Sequence, residues 1–193
     1  MDRETGTREL PPLPFSVAET GGMTPEQSEM ADAHTGELVI KGPQVMKGYL
    51  NFAEDTSATI REGWLYTGDI ACVDADGYTI IRDRIKDIIK ARGYAVFPAE
   101  VEDLIHQHPA VRNVALIGVP DKRGDETVKA FIELNPESKG SVTEKEIHLW
   151  AKRHMAHYKV PSIIEFRDIL PTTILGKVQR RVLREEDREK RRQ

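Results

Sequence analysis

Two nearly all-apolar runs, residues 114–119 and 128–134, constrain this chain more than any other feature of its 193 residues. Each has the length of a strand, and neither approaches the roughly 20 residues needed to cross a bilayer. The segments around them read as helices. Pro98 opens a predicted helix over residues 99–106, with Glu100 and Glu102 in the first turn, where the helix dipole favours acids. Thr143 and Glu146 form a capping box for a helix to about residue 155. Ile147, Trp150, Ala151 and Met155 lie along one face of it and are assigned to the core. Residues 163–166 read as a third strand, and a charged helix from about residue 178 closes the chain. This alternation predicts an α/β (α+β) unit, a small C-terminal sheet flanked by helices.

The first half is weaker in pattern. Residues 1–35 show no period of 2 or 3.6 and read as a loop, a partly disordered remnant. Residues 37–40 form a short strand stopped by Gly42-Pro43, and residues 53–60 a modest helix. Residues 70–73 and 78–81 flank Asp74-Ala75-Asp76-Gly77, and Asp-Gly between β-rich runs signals a hairpin. There is no internal repeat.

Composition enters as exclusion. Twenty-eight basic against 32 acidic residues give a net charge of −4, which argues against a generally basic nucleic-acid binder. The single cysteine, Cys72, excludes an internal disulfide framework and a Cys-rich zinc site, and fits a reducing cytoplasm. The charged start, Met1 to Glu9, lacks the apolar core of a signal peptide, so a cytoplasmic chain with no transmembrane segment is expected. His106 and His108 are two apart and cannot chelate together on a helix. His148, His154 and His157 lack a Cys or carboxylate to complete a set, so no metal site is expected. The mixed charges of residues 184–192 read as a solvated helix face.

Four segments place a charge beside a glycine or a turn: Tyr66-Thr67-Gly68-Asp69, Asp83-Arg84-Ile85-Lys86-Asp87, Lys90-Ala91-Arg92-Gly93-Tyr94 and Leu175-Gly176-Lys177. An ionised Asp after a glycine can accept two hydrogen bonds, which suits a vicinal diol such as ribose. Lys177 can neutralise a phosphate as a flexible point charge, although no P-loop surrounds it. Taken singly, each segment reads first as a turn or helix cap.

In order, they are far more specific. Gly63-Trp64-Leu65-Tyr66-Thr67-Gly68-Asp69, then Asp83-Arg84-Ile85-Lys86-Asp87, Gly93-Tyr94-Ala95-Val96-Phe97-Pro98-Ala99-Glu100, Tyr158-Lys159-Val160-Pro161, and Leu170-Pro171 to Gly176-Lys177 resemble the adenylate-forming superfamily. That superfamily comprises acyl-CoA synthetases, luciferases and peptide-synthetase adenylation domains. Ile164-Glu165-Phe166-Arg167-Asp168, with an aliphatic residue before Gly176-Lys177, most resembles long-chain fatty acid-CoA ligases.

The resemblance implies a C-terminal portion: residues 36–83 end the adenylating domain, 84–87 are a hinge, and 88–193 a mobile C-terminal domain. It implies ATP, AMP and CoA as substrates, a fatty acid as acyl donor, and magnesium held outside this chain. By matched position, Asp69 binds ribose hydroxyls with Arg84 assisting, and Lys86 is the hinge. Lys177 is the catalytic cation of adenylation, and Arg92 and Gly93 face the CoA tunnel. The partner implied is a nucleotide-binding N-terminal portion, without which the chain is expected to be inactive. Two departures stand out: Thr172 occupies a position where a basic residue is common, and Ala91-Arg92 replaces smaller residues. The alternative is a stand-alone binding or interaction module that kept the fold and lost the chemistry.

Overall fold

A computed structural model describes residues 15–18, 35–74, 76–121 and 124–192. They form two compact units, divided between Ile81 and Arg82.

In the first unit, β1 (Phe15–Ala18) pairs antiparallel with β2 (Thr35–Ile40), Phe15 opposite Ile40. The chain continues through α1 (Ala53–Thr59), β3 (Ile60–Arg61), β4 (Trp64–Val73) and β5 (Thr79–Arg84). β4 pairs with β2, β3 and β5. Leu38, Val39, Ile70, Ala71 and Cys72 are its buried apolar residues, and the Cys72 thiol is fully covered. Between β4 and β5, the Asp74 carboxylate accepts the N–H groups of Asp76 and Tyr78, as an Asp at the start of a turn does.

Two expectations are corrected here. The loop assigned to residues 1–35 contains β1, whose four residues are too few to show a period. The remainder, 1–14 and 19–34, lies outside the described residues. The strand expected from Ile70 begins instead at Trp64. Gly68, at φ +73°, and a register shift between Glu37 and Val39 break the alternation there.

The second unit takes in the end of β5 from Arg82, then a single 3-10 turn, Ile85–Asp87, followed by β6 (Ile89–Ala91) and β7 (Tyr94–Val96). Then come α2 (Pro98–His106), β8 (Val111–Pro120), β9 (Glu126–Leu134), α3 (Glu144–His154), β10 (Ile163–Arg167) and α4 (Arg180–Lys190). β9 organises the sheet. It pairs antiparallel with β8, parallel with β10 from Ile163↔Lys129, and parallel with β6 at Glu126.

The two apolar runs are now explained. Val114, Leu116, Ala130 and Ile132 face a core closed by Val101, Ile105 and Ile147, whereas Ala115, Ile117, Val119 and Phe131 face a second core closed by Leu170 and Leu183. A strand buried on both faces cannot alternate. The capping box of α3 forms as the sequence predicts, Thr143 and Glu146 exchanging both bonds. Ile147 and Ala151 are buried, while Trp150 is half-exposed and stacks on His154 at 4.0 Å. The architecture is α+β, with mixed sheets flanked by helices.

Candidate functional site

Asp69 follows the Gly68 irregularity of β4. The Thr67 hydroxyl donates to the Leu38 carbonyl at 2.8 Å and accepts the Asp69 N–H at 3.1 Å. The Gly68 N–H donates to the Glu37 carboxylate at 3.1 Å. Local hydrogen bonds thus fix the backbone of Asp69, a half-buried carboxylate of the first unit.

Residues 83–87 open the second unit. The buried Asp83 carboxylate accepts the Arg84 N–H at 2.7 Å and the Ala99 N–H at 2.8 Å. It thereby caps α2, whose own N-cap residue, Phe97, supplies no side-chain bond. Arg84 and Lys86 point outward and are exposed, and Asp87 is buried. Asp87 receives Arg184 at 2.7 Å, with Arg180 at 3.8 Å.

Arg92 and Gly93 form the tip of the β6–β7 hairpin, closed by Ala91 opposite Tyr94. Both have positive φ, +54° and +83°, as a type I′ two-residue turn requires. Asn-Gly is the favoured pair for such a turn; an arginine at its first position carries left-handed strain. Arg92 borders a cavity of about 220 Å³, lined also by His148, Lys152, His157, Tyr158 and Ser162. Among the described residues, Arg92 and Lys152 are the charged side chains that line it, so it favours an anion. Tyr94 stacks on Tyr158 at 4.4 Å beside it. Among the described residues, a Cβ on Gly93 would meet nothing within 4 Å.

Lys177 lies just past a third tip. Thr172 bridges Val178, the Thr173 N–H donates to the Lys177 carbonyl at 2.8 Å, and the Gly176 N–H donates to the Thr173 carbonyl at 2.8 Å. Gly176, at φ +80°, completes the bulge that follows such a turn. Ile174 and Leu175 at the tip are almost wholly exposed, and Lys177 is exposed too. The Gln179 N–H to the Pro171 carbonyl, at 2.8 Å, ties the hairpin to the start of α4.

Within the second unit, the structure joins Arg92 with Gly93 on one turn and Arg84 with Lys86 on one short segment. It sets Lys177 on a separate hairpin, while Asp69 belongs to the first unit. Sequence reasoning missed the cavity residues His148, Lys152 and His157, although His148 and Lys152 stand four apart on α3. It also missed the Asp87–Arg180–Glu102 cluster, whose members are 15 to 93 positions apart in sequence. Among the described residues no group of three or more His, Cys, Asp or Glu is placed to hold a metal ion, and no helix is long and apolar enough to cross a membrane.

Comparison with known proteins adds to this geometry. Residues 100–177 match the family model for the AMP-binding enzyme C-terminal domain. A long-chain-fatty-acid–CoA ligase of Bacillus subtilis is 44% identical over 177 residues, 91% of this chain and 31% of that protein. Among solved structures, ATP-bound MatB from Rhodopseudomonas palustris superposes with a TM-score of 0.78 at 32% identity, covering 89% of this chain and 33% of that one. The o-succinylbenzoate CoA synthetase of Bacillus subtilis, solved with its acyl-adenylate intermediate, gives 0.74 at 31% identity over 88% of this chain and 33% of that one. The chain therefore spans about a third of the length of the relatives it matches.

Proposed function

Residues 100–177 belong to the AMP-binding enzyme C-terminal domain family, and on that premise we propose that the chain is the C-terminal portion of an AMP-forming acyl-CoA ligase acting on a fatty acid. The observation that carries this reading is the presentation of Lys177 and of Arg92-Gly93 on two different surface hairpins of one unit. One rigid unit can then offer either hairpin to a shared reaction centre. The segment at the start of the second unit, residues 84–87 with Lys86, supplies the pivot.

In the first half-reaction a carboxylate oxygen of the fatty acid attacks the α-phosphorus of ATP. The bond to the β-phosphate oxygen breaks and pyrophosphate leaves. Negative charge gathers between the carboxylate and the α-phosphate, where the Lys177 ammonium offsets it. Asp69 accepts hydrogen bonds from the ribose hydroxyls and Arg84 assists, while residues of the nucleotide-binding portion would hold the magnesium that neutralises the ATP phosphates. In the second half-reaction the CoA sulfur attacks the acyl carbonyl carbon, its proton passes to solvent, and the carbonyl–AMP bond breaks. Arg92 and Gly93 then border the pantetheine arm, Gly93 leaving room for it.

The test joins this chain to the nucleotide-binding portion of the Bacillus subtilis relative and follows the half-reactions separately. Lys177→Ala is expected to slow pyrophosphate release by about 100- to 1,000-fold, the usual cost of one lost charge stabiliser, while sparing acyl-CoA formation from supplied acyl-adenylate. Gly93→Asn adds bulk at a position whose positive φ asparagine tolerates, and is expected to slow only the thioester step. If both variants slow both steps alike, the alternating presentation is wrong.

A further inference from the structure

Helix α4 begins against the rules of its own electrostatics. Its N-cap, Gln179, makes no side-chain cap bond, and no acid stands in its first turn. Arg180 and Arg181 instead place two cations at the positive end of the helix dipole. Arg181 is exposed and pairs with Glu185 one turn on, as surface charges do. Arg180 behaves differently. Its guanidinium is mostly covered and grips the Glu102 carboxylate of α2 with two nitrogens, Nε at 3.2 Å to one oxygen and Nη2 to the other. Its third nitrogen is 3.8 Å from Asp87. Glu102 in turn accepts the Leu116 N–H of β8 at 2.7 Å, and Asp87 is also held by Arg184 at 2.7 Å.

The position of Arg180 in the chain gives this cluster its meaning. It stands three residues after Lys177, and Gln179 beside it closes the Lys177 hairpin through the Pro171 and Thr172 carbonyls. Asp87 stands one residue after Lys86. We propose that Arg180 is a positioning residue that locks the root of the Lys177 hairpin to the pivot segment and to α2, so that rotation at Lys86 carries the Lys177 hairpin without slack. This rests on the ligase reading for its consequence, but the lock itself is a property of this unit. A guanidinium suits the task because its planar fork holds Glu102 through two nitrogens while the third faces Asp87 as an ion pair, an arrangement a lysine ammonium cannot reproduce. The Arg92-Gly93 hairpin is rooted on β6 and β7 and shares none of these bonds.

The first test uses the full chain. Backbone ¹⁵N order parameters at Ile88 and at Thr173, Gly176 and Lys177 are measured in wild type, Arg180→Gln, Arg180→Lys and Ile147→Val, the last a core change that loosens the fold without touching the cluster. Arg180→Gln is expected to lower the values at Ile88 and at the hairpin together, toward the range below about 0.6 that marks flexible backbone. Arg180→Lys should fall between it and wild type, and Ile147→Val should leave both places unchanged. Loosening at Leu116 alone, or at only one of the two places, overturns the lock. So does a response to Ile147→Val equal to that of Arg180→Gln.

The second arm uses the joined enzyme. Arg180→Gln should slow adenylation about 10- to 100-fold, the effect of misplacing a catalytic group by about 1 Å, with the KM for ATP and the thioester step little changed. Equal loss in both half-reactions would reduce Arg180 to a structural residue. If Lys177→Ala itself left adenylation intact, the ligase reading would fall, while the order parameters would still judge the lock.

Discussion

Arg92 is held in a backbone conformation that arginine disfavours, and relieving it should separate stability from chemistry. At φ +54° it occupies the left-handed region, which costs an L-residue with a Cβ roughly 1–2 kcal/mol and which asparagine enters routinely. Arg92→Asn should therefore stabilise the second unit by about 1 kcal/mol, or about 4 °C in Tm for a unit of this size. The β3–β4 hairpin supplies the control. Its turn, Glu62-Gly63, has the same pair of positive φ values, +51° and +81°, closed by Arg61 opposite Trp64. Glu62→Asn should stabilise the first unit by a similar amount. The two tryptophans separate the readouts, since Trp64 belongs to the first unit and Trp150 to the second. Urea unfolding followed by fluorescence, with Trp64→Phe to isolate Trp150, reports each transition. The chemical consequence should differ. Arg92 borders the anion-favouring cavity, so its loss should raise the KM for CoA about 10- to 100-fold in the joined enzyme, the usual worth of a hydrogen bond to a charged group. Glu62→Asn should leave that KM alone. An Arg92→Asn chain no more stable than wild type, beside a stabilised Glu62→Asn chain, would refute the strain argument. A stabilised Arg92→Asn enzyme with an unchanged KM would refute the role of the arginine.

Two further outcomes follow from the second unit. Thr143→Ala removes the side-chain half of the α3 capping box, the bond from the Glu146 N–H to the Thr143 hydroxyl, and should cost about 1 kcal/mol in urea unfolding read through Trp150. Glu165, which burial alone would push up, is held down from 4.5 to about 2 by hydrogen bonds from Lys129 and Lys190 and by the nearby Arg167 charge. Because the folded value is depressed, its stabilising effect is complete above about pH 4.5 and fades as the pH falls toward 2. Glu165→Gln should therefore destabilise the chain at pH 7 and match wild type near pH 2, and a stability gap independent of pH would contradict this.

The parts of the fold legible in sequence were those governed by local physics. The capping box at Thr143 and Glu146, Pro98 at the start of α2, and the apolar runs of β8 and β9 each carry their signal within a few residues. β6 and β7 were not legible, because three residues show no period and their turn uses Arg-Gly in place of Asn-Gly. Lys177 and Gly93 could be singled out by motif order, but motif order does not reveal that Gly93 sits at a hairpin tip and Lys177 just past another. The cavity beside Arg92 draws on β6, β9, α3 and the segment after it, and the Arg180 cluster draws on residues 87, 102 and 180. Such long-range constellations leave no trace in periodicity, since they are set by which strands pair.

The local rules that the sequence breaks are informative only in combination. Glu62 has the same left-handed backbone as Arg92, yet it borders no cavity described here and nothing assigns it a role, so strain alone does not mark a site. At Arg92, strain coincides with an anion-favouring cavity. At Arg180, a cation at the wrong end of a helix coincides with two carboxylates from distant segments, Asp87 buried and Glu102 half-buried. At Ile174 and Leu175, apolar side chains stand almost wholly exposed at a turn where polar residues are usual, two positions before a lysine. A unit with two well-formed cores has no folding need for any of these choices. At Arg92 the backbone cost and the proposed role fall on one residue, which is why removing both together there is the most direct test of the ligase reading.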